Sequence, residues 1–483
     1  MRTMNKTKII ATIGPGTSTE DKLIALINAG ANIFRINTSH ESVEVHAERI
    51  NSIRKIAKSM NKHIAILLDL QGPKIRIGNL KEPIELTDGM TVLLKPGMEH
   101  TDPETIPVDY MGIVNDVRKG DRILLDDGKL EFKVISTTQE LVTAEVVHGG
   151  LLKQRKGLNV PGATTSISAI TERDIEFIKF GVEHKVDYIA LSFVRTKEDI
   201  LKAKHYLKAF GGDIPVIAKL EKPQAVDNMS SIIQASDGVM VARGDLGIEI
   251  SPEKVPIVQK HIINEANAQR KAVIVATQML ESMIEQPMPT RAEASDVANA
   301  IIDGADAVML SGETAVGKYP AEAVKMMSQI AYDVEHSDIL RLNLSELKAK
   351  EIYELDSLAI TSAVIKLVED IEVQAIITFT KKGYTAKLLS KAKPSVPIIA
   401  ISDDEQVCRR LNLLWGVIPH HLDLGTDLDK ELLEKLDKLL IEKTFLCPGD
   451  KIVTTGSIPY LVTGKTNFIR VHQVGSIGTM YQK

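Results

Sequence analysis

Eight short apolar runs, each followed by a segment of helical periodicity, constrain this chain more than any other feature. The runs are TKIIATIG, NIFRINTS, HIAILLDLQG, DYIALSFV, PVIAKLE, DGVMVARGD, KAVIVATQM and DAVMLSGET. They lack the apolar–polar alternation of a half-exposed strand, so they read as parallel strands buried on both faces. Between them lie amphipathic segments such as STEDKLIALINAG, SVEVHAERINSIRKIAK, TKEDILKAKHYLKAF and PAEAVKMMSQIAYDVEH. Thr171 with Asp174, and Thr196 with Asp199, have the spacing of helix N-cap pairs. Eight strand–helix units in series predict an α/β chain built on a (β/α)8 barrel.

One connection is far too long for such a barrel. Between DLQGP and TERDIEFIKFGVEH lie about 95 residues, where a strand-to-helix loop usually takes two to six. The interval has alternating runs, DDG and GG turns and no helical stretch, which predicts an inserted small β-barrel domain over residues 73–165. It leaves the third strand at its C-terminal end, where barrel active sites are built. The barrel itself then comprises 1–72 and 166–340. Beyond EHSDILRLNLSELKAKEIYELDS five more strand-like runs alternate with helices, predicting a C-terminal α/β domain over 345–483.

Composition narrows the partners. The net charge is −5, so no global basic field points to nucleic acid. No apolar run is long enough to span a bilayer, and no membrane partner is expected. The N-terminus passes from charged residues straight into a strand-like run, without the apolar core of a signal peptide. Cys408 and Cys447 cannot build a disulfide framework. Together these predict a cytoplasmic protein.

Polar groups at the C-terminal ends of barrel strands are the site candidates. Strand two ends in Arg35, Asn37, Ser39 and His40, and strand three in Asp69, Lys74 and Arg76. Strand five ends in Lys219 and Glu221, and strand six in Arg243, Gly244 and Asp245. Strand seven ends in Thr277 and Gln278, and strand eight in Ser311, Glu313 and Thr314. Glu221 and Asp245 fall on neighbouring strands, and paired oxygen ligands suit Mg²⁺, which keeps other positions for water and phosphate. Arg35, Arg76 and Lys219 suit an anionic, phosphorylated substrate. Cationic clamps with a hard metal are the parts of phosphoryl transfer. Singly, each feature has a plainer reading: Lys-x-Glu is an ordinary surface ion pair, and Asn37 and Ser39 are helix caps. Their shared position at strand ends is what joins them.

The residues resemble those of the pyruvate kinase family along nearly the whole chain. The matching motifs are KIIATIGP, FRINTSH, GPKIR, DDGKLEF, KGLNVPG, AKLEKPQAV, DGVMVARGDLGIEI, ATQMLESM, PTRAEASDVANAI and DAVMLSGETAVGKYP, in that order. The resemblance implies a barrel, an inserted β-barrel lid and a C-terminal regulatory domain. It implies Mg²⁺-dependent transfer of a phosphoryl group from phosphoenolpyruvate to ADP, giving pyruvate and ATP in the last step of glycolysis, with Mn²⁺ as an alternative metal. Carried over by position, Arg35, Lys219 and Thr277 are the catalytic residues. Those three with Gly244 and Asp245 contact the substrate. Asn37, Ser39, His40, Arg76 and Lys156 hold the nucleotide, and Glu221 and Asp245 hold the metal. The acid that protonates the enolate is left open between Thr277 and a water chain near Ser311 and Glu313. A homotetramer is implied by the family alone.

One stretch departs from the family pattern. DTKGPEIRTG is commoner; this chain has DLQGPKIRIG, with Leu70, Gln71, Lys74 and Ile77 at the four changed positions. The family's K⁺ pocket corresponds to Asn37, Ser39, Asp69 and Leu70. In the common form a lysine, a glutamate and K⁺ sum to one positive charge; here neutral Gln71 and Lys74 give the same sum. Lys74 therefore stands as a covalent substitute for K⁺, the pattern of the family's potassium-independent branch, and K⁺ is not expected to be required. In the C-terminal region, Thr380, Lys381, Lys382, Gly383, Tyr384 and Thr385 run from a strand into a helix. Amides at a helix start with hydroxyls and lysines make an anion site, which in the family resembles the phosphate loop for a sugar-phosphate or nucleotide effector; an ordinary capped turn is the alternative. Two other functions fit part of the pattern. A metal-dependent lyase or aldolase would share Glu221 and Asp245 but need neither Lys219 nor the insertion. A non-catalytic effector-binding protein would be expected to lose Lys219 or a metal carboxylate, and both are present.

Overall fold

A computed structural model of the protein describes residues 5–99, 104–163, 167–337, 355–423, 430–458 and 466–476. The expected domain boundaries at 165/166 and at 340 and 345 lie outside these residues. The chain divides into two compact units, one made of Met1–Leu68, His184–Tyr188 and Ile263–Lys483, the other of Asp69–Glu183 and Ile189–Ile262.

The first three strands are β1 (Lys8–Ile13), β2 (Ile33–Asn37) and β3 (Ala65–Asp69). Then come β4 (Ile84–Leu86), β5 (Thr91–Pro96), β6 (Thr105–Val108), β7 (Arg122–Leu125), β8 (Leu130–Thr137), β9 (Val142–His148), β10 (Gly150–Leu152) and β11 (Leu158–Asn159). They are followed by β12 (Tyr188–Leu191), β13 (Val216–Leu220), β14 (Gly238–Ala242), β15 (Ala272–Ala276) and β16 (Ala307–Leu310). The last five are β17 (Ala375–Phe379), β18 (Ile398–Ser402), β19 (Val417–His421), β20 (Lys451–Gly456) and β21 (Phe468–Gln473).

The eight continuous apolar runs close into one barrel, in the order β1-β16-β15-β14-β13-β12-β3-β2. Strands such as β1, β3, β14 and β15 are buried at every position, which is why their sequences do not alternate. Helices between them start as expected. Thr171 and Asp174 exchange capping bonds of 2.9 Å and 3.2 Å at the helix Glu172–Glu183. Asp199 accepts from the Thr196 amide at 3.2 Å ahead of Lys197–Ala209. No helix among the described residues is long and apolar enough to cross a membrane.

The inserted segment forms a six-stranded sheet, β11-β7-β8-β9-β5-β6, and a two-stranded one, β10-β4. Its alternating strands send one face into a single core around Phe132, Ile123, Leu94 and Val142. The strip Arg76–Asn79 closes the larger sheet. Arg76 bridges Gly157, next to β11, and Ile77 bridges Val108 in β6, so the strip touches both edge strands. Ile77 donates to the Lys156 carbonyl (2.8 Å) and Gly78 to the Pro107 carbonyl (2.8 Å). The C-terminal sheet runs β19-β18-β17-β20-β21, parallel except for antiparallel β21. Separate apolar clusters built around Ile377 and Leu440, and around Ile376 and Leu389, pack its helices.

Candidate active site

At the ends of β3, β12, β13 and β14, charge is concentrated in a buried cluster. Lys219 projects its ammonium 3.5 Å from Asp69 Oδ1 and 3.5 Å from Glu221 Oε2. It also donates to Ser192 Oγ at 2.7 Å, and Ser192 in turn donates to the Leu70 carbonyl at 2.7 Å. Asp69 and Glu221 are 1% and 0% exposed, so the lysine is their local counter-charge and not a surface partner. The Phe193 amide donates to Glu221 Oε1 at 2.6 Å. Burial pushes the Glu221 carboxyl up to about 7; Lys219 pulls it down, and Asp245 and Asp69 push it up further.

Glu221 Oε2 is buried and accepts no hydrogen bond among the described residues. A buried carboxylate oxygen left so, with Asp245 half-buried on the next strand's helix Arg243–Glu249, fits a hard divalent cation. No three His, Cys, Asp or Glu side chains gather as a metal group among the described residues. Two carboxylates with the remaining positions left to substrate and water are the arrangement Mg²⁺ accepts.

Gly72 shapes the entrance to this cluster. Its φ is +68°, and a Cβ there would lie 2.7 Å from Phe193 Cδ2, so only glycine lets the strand end turn against that ring. Lys74 is exposed and makes no ion pair among the described residues; its Cε lies against Gly157, where a Cβ would approach within 3.0 Å. The ammonium near Asp69 is therefore that of Lys219, not that of Lys74. Leu70 is buried and presents no side-chain oxygen. Arg76 Nη1 donates to the Arg155 carbonyl at 3.3 Å, and Lys156 Nζ to Asp126 at 2.7 Å, where it holds that carboxyl below the usual range. Lys74, Asn159, Phe193, Lys222 and Asp245 line one cleft.

In the other unit, Arg35 donates to Thr12 Oγ1 at 3.1 Å at the ends of β2 and β1. Asn37 and Ser39 are half-buried and His40 is exposed; Asn37 Oδ1 accepts from the Ser39 amide at 3.2 Å. Thr277 follows β15 with φ +69°, and Gln278 with φ +53°. Left-handed backbone at a β-branched residue is strained and persists only where neighbours fix it. Buried Glu313 accepts from the Leu280 amide (3.1 Å) and the Ser311 amide (2.7 Å), tying the segment after β15 to the end of β16; burial raises its carboxyl above the ordinary value. Gly244, in the unit of Lys219, lies in the first turn of the helix that carries Asp245. In the C-terminal sheet, Thr380 Oγ1 accepts from the Gly383 amide (3.0 Å), and Thr385 Oγ1 meets Thr466 Oγ1 (2.9 Å). Gly383 caps the helix Tyr384–Lys391 with φ +84°, and Lys381 and Lys382 are exposed beside it.

Ser192 and Phe193 are the residues that sequence reasoning missed. The strand-end inventory skips strand four, although DYIALSFV obeys the same rule.

Known proteins resemble this chain over nearly its whole length. Residues 4–324 match the family described as pyruvate kinase, barrel domain, and residues 358–472 match pyruvate kinase, alpha/beta domain. The pyruvate kinases of Staphylococcus aureus strains USA300 and N315 are 44% identical over 476 residues, covering 98% of this chain and 81% of theirs. A crystal structure of a pyruvate kinase from Cryptosporidium parvum superposes with a TM-score of 0.90 at 33% identity, covering 98% of this chain and 96% of that one. With both parts matched, in order and over nearly the whole length, this chain belongs to the pyruvate kinase family of enzymes.

Proposed function

We propose that the protein catalyses Mg²⁺-dependent phosphoryl transfer from phosphoenolpyruvate to ADP, yielding pyruvate and ATP as a glycolytic enzyme of the cytoplasm. The observation that carries this reading is the half-buried Lys219 ammonium between buried Asp69 and Glu221, with Ser192 fixing its direction. Glu221 and Asp245 would hold Mg²⁺, or Mn²⁺ in its place, which neutralises charge on the substrate's carboxylate and phosphoryl oxygens when bound. An oxygen of the ADP β-phosphate bonds to phosphorus as the bond from phosphorus to the enol oxygen breaks. Lys219 offsets the charge on the moving phosphoryl group and on the departing enolate oxygen. Arg35, steadied by Thr12, binds the substrate phosphate, and Gly244 and Thr277 contact the substrate. The enolate then takes a proton at carbon. Asn37, Ser39, His40, Arg76 and Lys156 bind the nucleotide.

Four finer readings accompany this one. The division into a barrel (1–72 and 166–340), an inserted water-excluding lid (73–165) and a regulatory domain (345–483) is supported by the separate sheets. Independence from K⁺ is supported by buried Leu70, which removes one oxygen of the K⁺ pocket formed with Asn37, Ser39 and Asp69, and by the charge on Lys74. A phosphorylated effector at Thr380–Thr385 is supported by the amides and exposed lysines of that helix start; calorimetry with a panel of sugar phosphates and nucleoside monophosphates tests it, and an absence of binding would remove it. A homotetramer rests on the family and is checked by light scattering. The central test is pyruvate formation from phosphoenolpyruvate, ADP and Mg²⁺ in a coupled assay. No pyruvate above the metal-free control would overturn the reading.

A further inference from the structure

We infer that Glu249 is a positioning residue, and that its hydrogen bond to Asn159 is a reversible latch between the inserted β module and the barrel. The helix Arg243–Glu249 starts at the end of β14, carries Asp245 in its first turn and ends on Glu249, which is 5% exposed. One oxygen of Glu249 accepts two bonds. Lys222 Nζ donates to Oε1 at 2.5 Å, and Asn159 Nδ2 donates to the same atom at 2.9 Å. Lys222 directly follows Glu221, and its ammonium lies 5.4 Å from the centre of the Phe193 ring, whose amide holds Glu221. Asn159 ends β11, and the preceding Leu158 donates to the carbonyl of Ile75, just before the closing strip. A single buried carboxylate thus joins the helix of Asp245, the segment after Glu221 and the inserted module.

The two donors differ in what their loss would cost. Removing Lys222 would strand a buried charge. Removing Asn159 would not, because Lys222 still neutralises the carboxylate. The amide bond is the one that can break and re-form while the barrel side stays intact. Lys156 lies three residues before Asn159, and Gly157 bridges Arg76. Docking Asn159 on Glu249 therefore fixes the segment that carries these two cations relative to the helix of Asp245. This inference rests on the proposed role of Lys156 and Arg76 in holding the nucleotide.

The test exchanges the latch chemistry. Asn159→Asp places a second carboxylate against Glu249; Glu249→Gln in the same chain supplies an amide that donates back to it. Hydrogen exchange of the full-length protein at residues 75–79 and 156–160 is expected to speed up in Asn159→Asp and to return toward the parent rate in the double variant. KM for ADP is expected to rise about tenfold in the single variant, the size of a lost buried hydrogen bond, and to recover in the double. Calorimetric binding of phosphoenolpyruvate with Mg²⁺ and no ADP should fall by less than KM for ADP rises, because Lys222 still neutralises Glu249 on the barrel side. Unchanged exchange in Asn159→Asp, or no recovery in the double variant, would overturn the latch. Exchange is read without turnover, so failure of the parent to make pyruvate would sink the functional reading and leave the latch test standing.

Discussion

Lys219 stands 3.5 Å from each of two buried carboxylates, and replacing it removes the charge that both depend on. Lys219→Met is expected to cut turnover by a factor on the order of 10²–10³ while phosphoenolpyruvate and Mg²⁺ still bind. Near-normal turnover would refute its role. Glu221 makes a second prediction. In the metal-free protein its carboxyl is pushed up to about 7, chiefly by burial. Metal needs the ionised form, so below that pH a proton competes with it. Mg²⁺ affinity should therefore rise with pH by about tenfold per unit up to neutrality and then level off. Calorimetry at pH 6 in two buffers of different protonation enthalpy should count about one proton released per metal. A flat profile would remove Glu221 from the ligand set. For Lys74, adding K⁺ to enzyme in Mg²⁺ and a bulky organic cation should change the rate less than about twofold, roughly 0.4 kcal/mol in barrier. Lys74→Glu should be poor without K⁺ and partly rescued by it, and many-fold activation of the parent enzyme would defeat the substitution argument. At this scale the charged residues were legible because strand ends gather them. Ser192 and the Phe193 amide were not, since a hydroxyl and a backbone donor leave no charge pattern. The side chain that meets Asp69 was not legible either: the sequence pointed to Lys74, and the fold brings Lys219 there instead.

Elements were legible wherever their period was regular. Continuous apolar runs became barrel strands, and alternating runs became the strands of the insertion. The closing strip Arg76–Asn79 could not be read this way. Its bonds go to Lys156 and Pro107, at opposite edges of the sheet, and no local pattern encodes such a pairing. Gly72 just before it is a local signal with a long-range cause. Its φ of +68°, and the mere 2.7 Å that would separate a Cβ from Phe193 Cδ2, leave no room for a side chain. Gly72→Ala is expected to cost about 1–3 kcal/mol of stability through backbone strain and displacement of the ring. Because the Phe193 amide holds Glu221, the Mg²⁺ needed for half-maximal activity should rise as well. Thermal melting and a Mg²⁺ titration check the pair. A variant with unchanged melting and unchanged titration would show that the turn yields freely.

Within the unit that contains β1, β16 and the C-terminal sheet, buried lysines tie barrel strands to that sheet. Lys391, at the end of the helix that begins beside Thr385, pairs with Asp306, and Lys393 lies 3.3 Å from the same carboxylate. Lys8 in β1 donates to the Val417 carbonyl in β19 at 2.6 Å. None of this was legible in the sequence. Each residue looks like an ordinary surface charge, and its partner lies far along the chain. Lys8 offers a clean test because burial lowers its pKa to about 8, against a partial opposing pull from Glu335. The unfolded chain holds that proton up to about 10.4, so between these values it binds more protons than the folded one. Raising the pH through this window therefore favours the folded state, and below pH 8 the full penalty of the buried cation is present. Lys8→Met lacks the titration and keeps every other group. The stability of the parent relative to Lys8→Met should climb by about 2.4 kcal/mol from pH 7.5 to 10. Parallel melting curves across that range would mean that the Val417 carbonyl stabilises the ammonium enough to cancel its burial.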